Sequence, residues 1–172
     1  MKILVSGGSG FVGSAFIRNY LHNHQNDEVV NLDSLTIGSN LNNLKEVEQN
    51  WNYQFVKDDI RNQNNVERLA KDVDIIVNFA AESHVDRSIA NPKPFIETNI
   101  LGTYSLLEAA KKYEKLFVHV STDEVYGDAE SSESFTEKSL IKPSNPYSAT
   151  KAAADHLVAA YYRTYKIDRK ST

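Results

Sequence analysis

The sequence contains no cysteine. Disulfides, thiol catalysis and cysteine-ligated metal centres are thereby excluded, and no other motif asks for a metal. The composition suits a reducing compartment. No apolar stretch approaches the roughly 20 residues of a membrane-spanning helix. Met1-Lys2-Ile3-Leu4-Val5 runs at once into Ser6 and Gly7, which reads as an internal strand rather than a secretory leader. Positive charge is not in excess. A formal net charge of −4 over 172 residues gives no support for a nucleic-acid or anionic-membrane partner. Repeats, low-complexity blocks and linkers are also missing. These absences point to a cytoplasmic globular chain forming one domain over residues 1–172.

What is present is an alternation of short β-branched runs with longer helical patterns. Ile3–Val5, Glu28–Leu32, Tyr53–Val56, Asp74–Phe79 and Leu116–Val120 read as strands. Phe11–His22, a short segment around Val66–Leu69, Phe95–Tyr113 and Pro146–Tyr165 read as helices. The strands are continuously apolar rather than alternating. That pattern predicts an α/β domain: a doubly wound parallel sheet covered by helices on both faces. After Tyr165 the chain turns polar, so the sheet is expected to stop at five strands.

The first strand leads into Gly7-Gly8-Ser9-Gly10-Phe11-Val12-Gly13, with glycines at 7, 10 and 13 and a helix behind them. Such a loop allows a tight turn at Gly7, approach of a pyrophosphate at Gly10 and close helix packing at Gly13. By itself it is also what a plain strand-to-helix turn looks like. The second strand sharpens the reading. It ends at Asp33, 20 residues after Gly13. A carboxylate there accepts hydrogen bonds from ribose hydroxyls and repels a 2′-phosphate, and no arginine stands beside it. The expected cofactor is therefore NAD rather than NADP. Asp58-Asp59-Ile60 follows the third strand, where an acid can meet the adenine amino group.

Asn145-Pro146-Tyr147-Ser148-Ala149-Thr150-Lys151 places Tyr147 and Lys151 four residues apart behind a helix-capping Asn and an N1 proline. The two side chains share one helical face. A tyrosine beside an ammonium and a positively charged nicotinamide is expected to lose its proton more easily and to act as a base. Val120-Ser121-Thr122-Asp123-Glu124-Val125-Tyr126-Gly127 ends the fifth strand with two adjacent carboxylates. For both to reach one substrate the chain must leave extended geometry at Asp123, since neighbours in a strand point to opposite faces.

The glycine loop, Asp33 and the Tyr-x-x-x-Lys pair together resemble the extended short-chain dehydrogenase/reductase family of nucleotide-sugar enzymes. Ser121–Gly127, Ala80–Ile89, Phe95–Tyr104 and Leu32–Leu44 are similar to its dTDP-glucose 4,6-dehydratase branch, across nearly the whole chain. The resemblance implies an NAD-binding Rossmann domain without the substrate domain that follows it in the family. It implies loss of water from dTDP-glucose to give a 4-keto-6-deoxy sugar. Tyr147 would take the C4 hydroxyl proton, Glu124 would remove the C5 proton and Asp123 would protonate the departing C6 hydroxyl. Thr122 would bind the sugar O4 and support Tyr147, and Lys151 would hold the nicotinamide ribose. Phe11 and Val12 would cover the pyrophosphate. Ser34, Thr36, Asp59 and Ile60 would line the adenosine end, with Ala80, Ala81 and Thr98 on the nicotinamide side and Ser83 touching substrate. His84 is expected to serve local hydrogen bonding, Asn99 to bridge strands and Gly102 to allow helix packing. Ile37-Gly38-Ser39 departs from the Tyr-Ala-Gly expected in that branch, near the adenine pocket. The family's four-helix interface implies a homodimer through Phe95–Tyr113 and Pro146–Tyr165.

Overall fold

The computed structural model describes residues 1–129, 134–167 and the backbone of 169–171; Asp168 and Thr172 of the polar tail lie outside the described residues. Five parallel strands carry the core: β1 (Lys2–Ser6), β2 (Glu28–Asp33), β3 (Tyr53–Lys57), β4 (Ile75–Asn78) and β5 (Leu116–His119). Helices alternate with them: α1 (Phe11–Asn23), α2 (Gln63–Lys71), α3 (Val85–Ala90), α4 (Lys93–Phe95), α5 (Thr103–Lys112) and α6 (Pro146–Tyr165). The described sheet order is β3-β2-β1-β4-β5-β6, where β6 is the short strand Arg169–Ser171. The chain reverses direction across the sheet between β1 and β4. In an open α/β sheet, ligands bind at the carboxyl ends of the strands at that switch point.

The period-2 alternation of β1 explains why both faces are covered. Leu4 points to one side, into a core with Leu32, Ile76, Leu106, Phe117 and Val158. Ile3 and Val5 point to the other, against Ile17, Leu21, Val29 and Val77. Every one of these side chains is buried, as a doubly covered parallel sheet requires.

Two features differ from expectation. The sheet does not end at β5, because β6 pairs with it in parallel. Backbone pairing at a sheet edge needs no apolar side chain. The anchoring signal was Ile167, which is buried in the core just before the strand. The helix expected over Phe95–Tyr113 is continuous from Lys93 but carries a π-helical segment, Ile96–Gly102, between α4 and α5. π-Helical turns inside helices often mark functional sites, and this one holds Thr98 and Asn99.

Candidate active site

A cleft of about 1100 Å³ opens at the switch point. Its floor is the β1–α1 turn. Gly7 has φ +73°, and a Cβ there would lie 2.5 Å from the Ala80 backbone nitrogen. A Cβ on Gly13 would lie 2.3 Å from the Gly7 carbonyl oxygen. The turn thus closes only with glycine at both positions. Helix α1 begins at Phe11 with no side-chain cap and no acid in its first turn. Phe11 and Val12 are exposed at the cleft. Free N–H groups and a positive helix end face the space beside Gly10, which suits a pyrophosphate.

Asp33 is buried at the end of β2 and lines the same cleft. Its Oδ2 accepts from the Ser9 amide at 2.9 Å and its Oδ1 from the Leu35 amide at 2.8 Å. A carboxylate has about four acceptor sites, so capacity remains for two ribose hydroxyls. The residues around it therefore fit an adenosine ribose. Ser34, Thr36, Ile60, Ala80, Ala81, Ser83 and Thr98 also line the cleft. So does the departing Ile37-Gly38-Ser39 stretch, a turn closed by the Ser39 amide on the Thr36 carbonyl at 3.1 Å.

Asp59 lines the cleft as well, but its carboxylate is gripped by Arg61, whose Nη2 lies 2.8 Å from Oδ2. Burial works against its charge, yet the Arg61 side chain and amide prevail and lower the pKa. Arg61 reaches on to Glu97 at 2.9 Å. Arg61, Glu97 and the Glu82–Arg87 ion pair at 3.1 Å were not singled out from the sequence, although all four side chains line the cleft. Arg87 sits inside the quoted Ala80–Ile89 motif, but ion pairing across a loop leaves no spacing signature.

The other end of the cleft is built by α6 and the loop after β5. Asn145 caps α6 with a reciprocal box: its side chain accepts from the Ser148 amide, and the Ser148 hydroxyl accepts from the Asn145 amide. Tyr147 and Lys151 both line the cleft. Tyr147 is fixed from the side by α3, whose Ser88 hydroxyl accepts from the Tyr147 amide at 3.1 Å. The chain leaves extended geometry at Asp123, as the adjacent carboxylates demanded. Thr122 caps a 3₁₀ turn over Asp123–Tyr126. Ser121 lines the cleft, whereas Thr122, Asp123 and Glu124, which follow it, are not among the lining residues. Glu124 accepts from the Asn145 side-chain amide at 3.2 Å.

The electrostatics correct one expectation. Tyr147 is pushed up, not down: burial does most, and Glu124 and Asp123 add to it, while a hydrogen bond with Thr122 works the other way. Lys151 Nζ donates to the Val120 carbonyl at 2.7 Å. Burial pulls Lys151 down to about 8, against the opposing charge of Asp155.

Two structural residues also differ from expectation. Asn99 joins a loop to a helix rather than two strands. Its amide exchanges hydrogen bonds with the Glu82 amide and carbonyl at 2.8 and 3.0 Å and donates to Thr150 Oγ1 at 3.0 Å. His84 is exposed and its side chain does not cap α3; its backbone, at φ 126° and ψ 101°, starts that helix instead. Gly102 packs as expected, directly against Ile60.

Comparison with known proteins agrees with this geometry. A dTDP-glucose 4,6-dehydratase of Haemophilus influenzae is 52% identical over 96% of this chain and 52% of its own length. A dTDP-glucose 4,6-dehydratase from Streptomyces venezuelae, solved with NAD and TYD bound, superposes with a TM-score of 0.96 at 47% identity, covering 99% of this chain and 54% of that one. A UDP-glucose 4-epimerase from Thermus thermophilus, solved with NAD, has a TM-score of 0.88 at 31% identity, covering 99% and 54%. The chain spans about half the length of the curated relatives it matches. The family model described as GDP-mannose 4,6 dehydratase matches residues 4–172, and the chain belongs to that family.

Proposed function

We propose that residues 1–172 form the NAD-binding domain of a nucleotide-sugar 4,6-dehydratase acting on dTDP-glucose. One observation carries this reading. The cleft that holds the glycine turn and Asp33 also holds Tyr147, and Tyr147 is electrostatically coupled to both Asp123 and Glu124. An epimerase needs a base at the C4 hydroxyl; the adjacent acid and base serve an elimination.

In this reading Gly10, Phe11 and Val12 hold the pyrophosphate, while Asp33, Ser34 and Thr36 hold the adenosine ribose. Asp59 and Ile60 border the adenine. Ala80, Ala81 and Thr98 flank the nicotinamide, and Lys151 binds its ribose. When bound, NAD supplies a hydride acceptor that later returns the hydride, and a positive ring that favours the Tyr147 phenolate. Tyr147 takes the C4 hydroxyl proton at its phenol oxygen, with Thr122 hydrogen-bonded to that oxygen. The 4-ketone acidifies C5, and Glu124 removes the C5 proton. Asp123, protonated, passes its proton to the C6 hydroxyl, which leaves as water; C6 then receives the returned hydride and Glu124 gives its proton back to C5. The 3₁₀ turn sets the two carboxylates side by side, so that one can act as acid and the other as base across a single C–C bond. Ser83, exposed at the cleft, contacts the sugar.

A homodimer and a cytoplasmic location belong to the same proposal. Ile96, Leu101 and Tyr104 on the π segment and α5, with Tyr162 and Tyr165 on α6, are exposed on the two helices concerned. Among the described residues no helix is long and apolar enough to cross a membrane. Light scattering giving the mass of one chain would remove the dimer.

The test is incubation with NAD and dTDP-glucose, followed by mass spectrometry and NMR of the sugar. The expected product has lost one water and carries a 4-ketone. A C4 epimer of unchanged mass selects an epimerase instead. Thermal stabilisation by NAD without turnover selects a binding module.

A further inference from the structure

The Tyr147–Lys151 row continues. One turn further along α6, at the same spacing of four, stands Asp155. Tyr147, Lys151 and Asp155 therefore line one helical face. Opposite them is the end of β5. Asp155 Oδ2 accepts from the Ser121 hydroxyl at 2.5 Å. Its Oδ1 faces His119 Nε2 at 3.7 Å, and among the described residues neither of these buried atoms has a hydrogen-bond partner.

The orientation of His119 follows from its neighbours. Asn78 Oδ1 accepts from the Ser6 hydroxyl at 2.7 Å and the Ala80 amide at 3.1 Å. Its Nδ2 is thereby aimed at Thr103 Oγ1 and at His119 Nδ1, 3.2 Å away. His119 Nδ1 must accept, so a neutral His119 carries its proton on Nε2, toward Asp155. The side chains of Ser6, Asn78, Thr103 and His119 are buried. This is an assembled polar cluster beneath the cleft, and nothing in the reaction written above uses it.

We propose that Asp155 is a positioning residue for Lys151: a carboxylate held by the Ser121 hydroxyl that supplies the counter-charge keeping the buried ammonium cationic. Its consequence for cofactor affinity rests on the reading of the cleft as an NAD site. Lys151 is buried, and its Nζ has a neutral carbonyl as its hydrogen-bond partner. A buried ammonium without an opposing charge gives up its proton. Asp155 opposes the burial that pulls Lys151 down to about 8. His119 adds no positive charge, since burial and then Lys151 hold it neutral down to about 3. Asp155 itself is pushed up by burial and held back by Ser121, Lys151 and the neighbouring His156. Among the described residues, the other titratable groups at this end are Asp123 and Glu124, which act on Tyr147.

The test is an NMR titration of the Lys151 side-chain carbon next to the ammonium, in the 172-residue chain without cofactor, assigned with Lys151→Met. The wild-type midpoint is expected near 8. Asp155→Asn keeps the shape and removes the charge, and should lower the midpoint by about one unit or more. Asp155→Glu keeps a carboxylate and should stay close to wild type. Ser121→Ala should lower the midpoint by less than Asp155→Asn, and reads the same coupling if Asp155→Asn fails to fold. A midpoint in Asp155→Asn, or in Ser121→Ala where that stands in, that matches wild type overturns the proposal. Calorimetric NAD binding at pH values between the two midpoints is the second readout. Asp155→Asn should bind about tenfold more weakly there, as for a lost charge-assisted hydrogen bond. Shifted midpoints in a wild-type chain that binds no NAD would retain the counter-charge and remove the cofactor reading.

Discussion

The two ends of the cleft are made differently. The adenosine end is made of backbone: the Gly7 turn, the free amides of α1 and two amides that grip Asp33. The end proposed to carry the chemistry is made of side chains brought from distant segments. Tyr147 and Lys151 come from α6, Thr122 to Glu124 from the turn after β5, and the Ser88 hydroxyl from α3. Backbone sites depend on which residues are absent, namely those with a Cβ. Side-chain sites depend on charge and on what packs against what. The first kind should break sterically and all at once, the second chemically and one group at a time.

The largest effect should come from Tyr147→Phe. Removing a positioned general base typically lowers a rate by about 10²–10⁴-fold, and here it should stop C4 oxidation itself. The fold should tolerate the change, since the ring still packs edge-on against Phe95. Asp123→Asn and Glu124→Gln should instead let C4 oxidation proceed and slow loss of water. Single-turnover absorbance of the reduced cofactor distinguishes the two outcomes. Normal cofactor reduction in Tyr147→Phe contradicts its role, and normal dehydration in either carboxylate variant contradicts that carboxylate's.

Gly7→Ala should do the opposite: damage the fold along with the site. The new Cβ meets the Ala80 backbone at 2.5 Å and the residue must hold φ +73°. Overpacking plus strain of this kind costs roughly 2–4 kcal/mol. Urea denaturation should show the midpoint falling, with NAD binding lost alongside. A variant of unchanged stability would mean that the turn opens freely, and the backbone account of this end would go with it.

The same contrast explains what was legible in the sequence. Gly7, Gly10, Gly13 and Asp33 could be read because a turn and a strand end impose fixed spacings along the chain. Helix α6 could be read, Pro146 to Tyr165, because its cap and proline are local. That the chain leaves extended geometry at Asp123 followed from asking both acids to reach one substrate; the 3₁₀ form of the turn did not. The partner of Lys151 could not be read, since Val120 reaches it only when β5 packs under α6. Asp155 was not singled out from the sequence, because Ser121 and His119 come opposite it only when β5 packs under α6. Asp59 lines the cleft, but its capture by Arg61 depends on side-chain reach and left no trace in the sequence. The strand at Arg169–Ser171 was missed because backbone pairing leaves no hydrophobic trace.

Acid should act on the catalytic end through His119. Burial, and then Lys151, hold its folded pKa near 3, against 6.5 for a free imidazole. Between those values the unfolded chain binds a proton that the folded chain refuses. Stability therefore falls as pH drops from about 6.5 toward 3 and levels off below. Lys151 has the same sign at the other limit: folded near 8 and free near 10.5, so its burial penalty is relieved as pH rises through that window. Urea midpoints across pH for wild type and His119→Gln isolate the first term. The difference between them should shrink toward acid. A constant difference would mean that His119 is protonated in the fold and that its Nε2 is not held neutral against Asp155.

The smallest effect is expected at the rim. At the adenosine end the positive φ angles of 73° and 95° fall on Gly7 and Gly38, and Leu35 at 57° sits in the left-handed helical well. His84, beside Ser83, has φ 126° and ψ 101°, a region that side chains avoid. Such strain costs of order 1–3 kcal/mol, and glycine gives back roughly 0.5–1 kcal/mol through its greater unfolded freedom. His84→Gly should therefore stabilise the chain by about 1 kcal/mol, read as a higher thermal midpoint. The adenosine end has no counterpart position, because its conformational demands already fall on glycine or on an ordinary well. If His84→Gly lowers the midpoint, the imidazole makes a stabilising contact at this rim, and the strain is compensated locally rather than carried by the packing of α3 against α6.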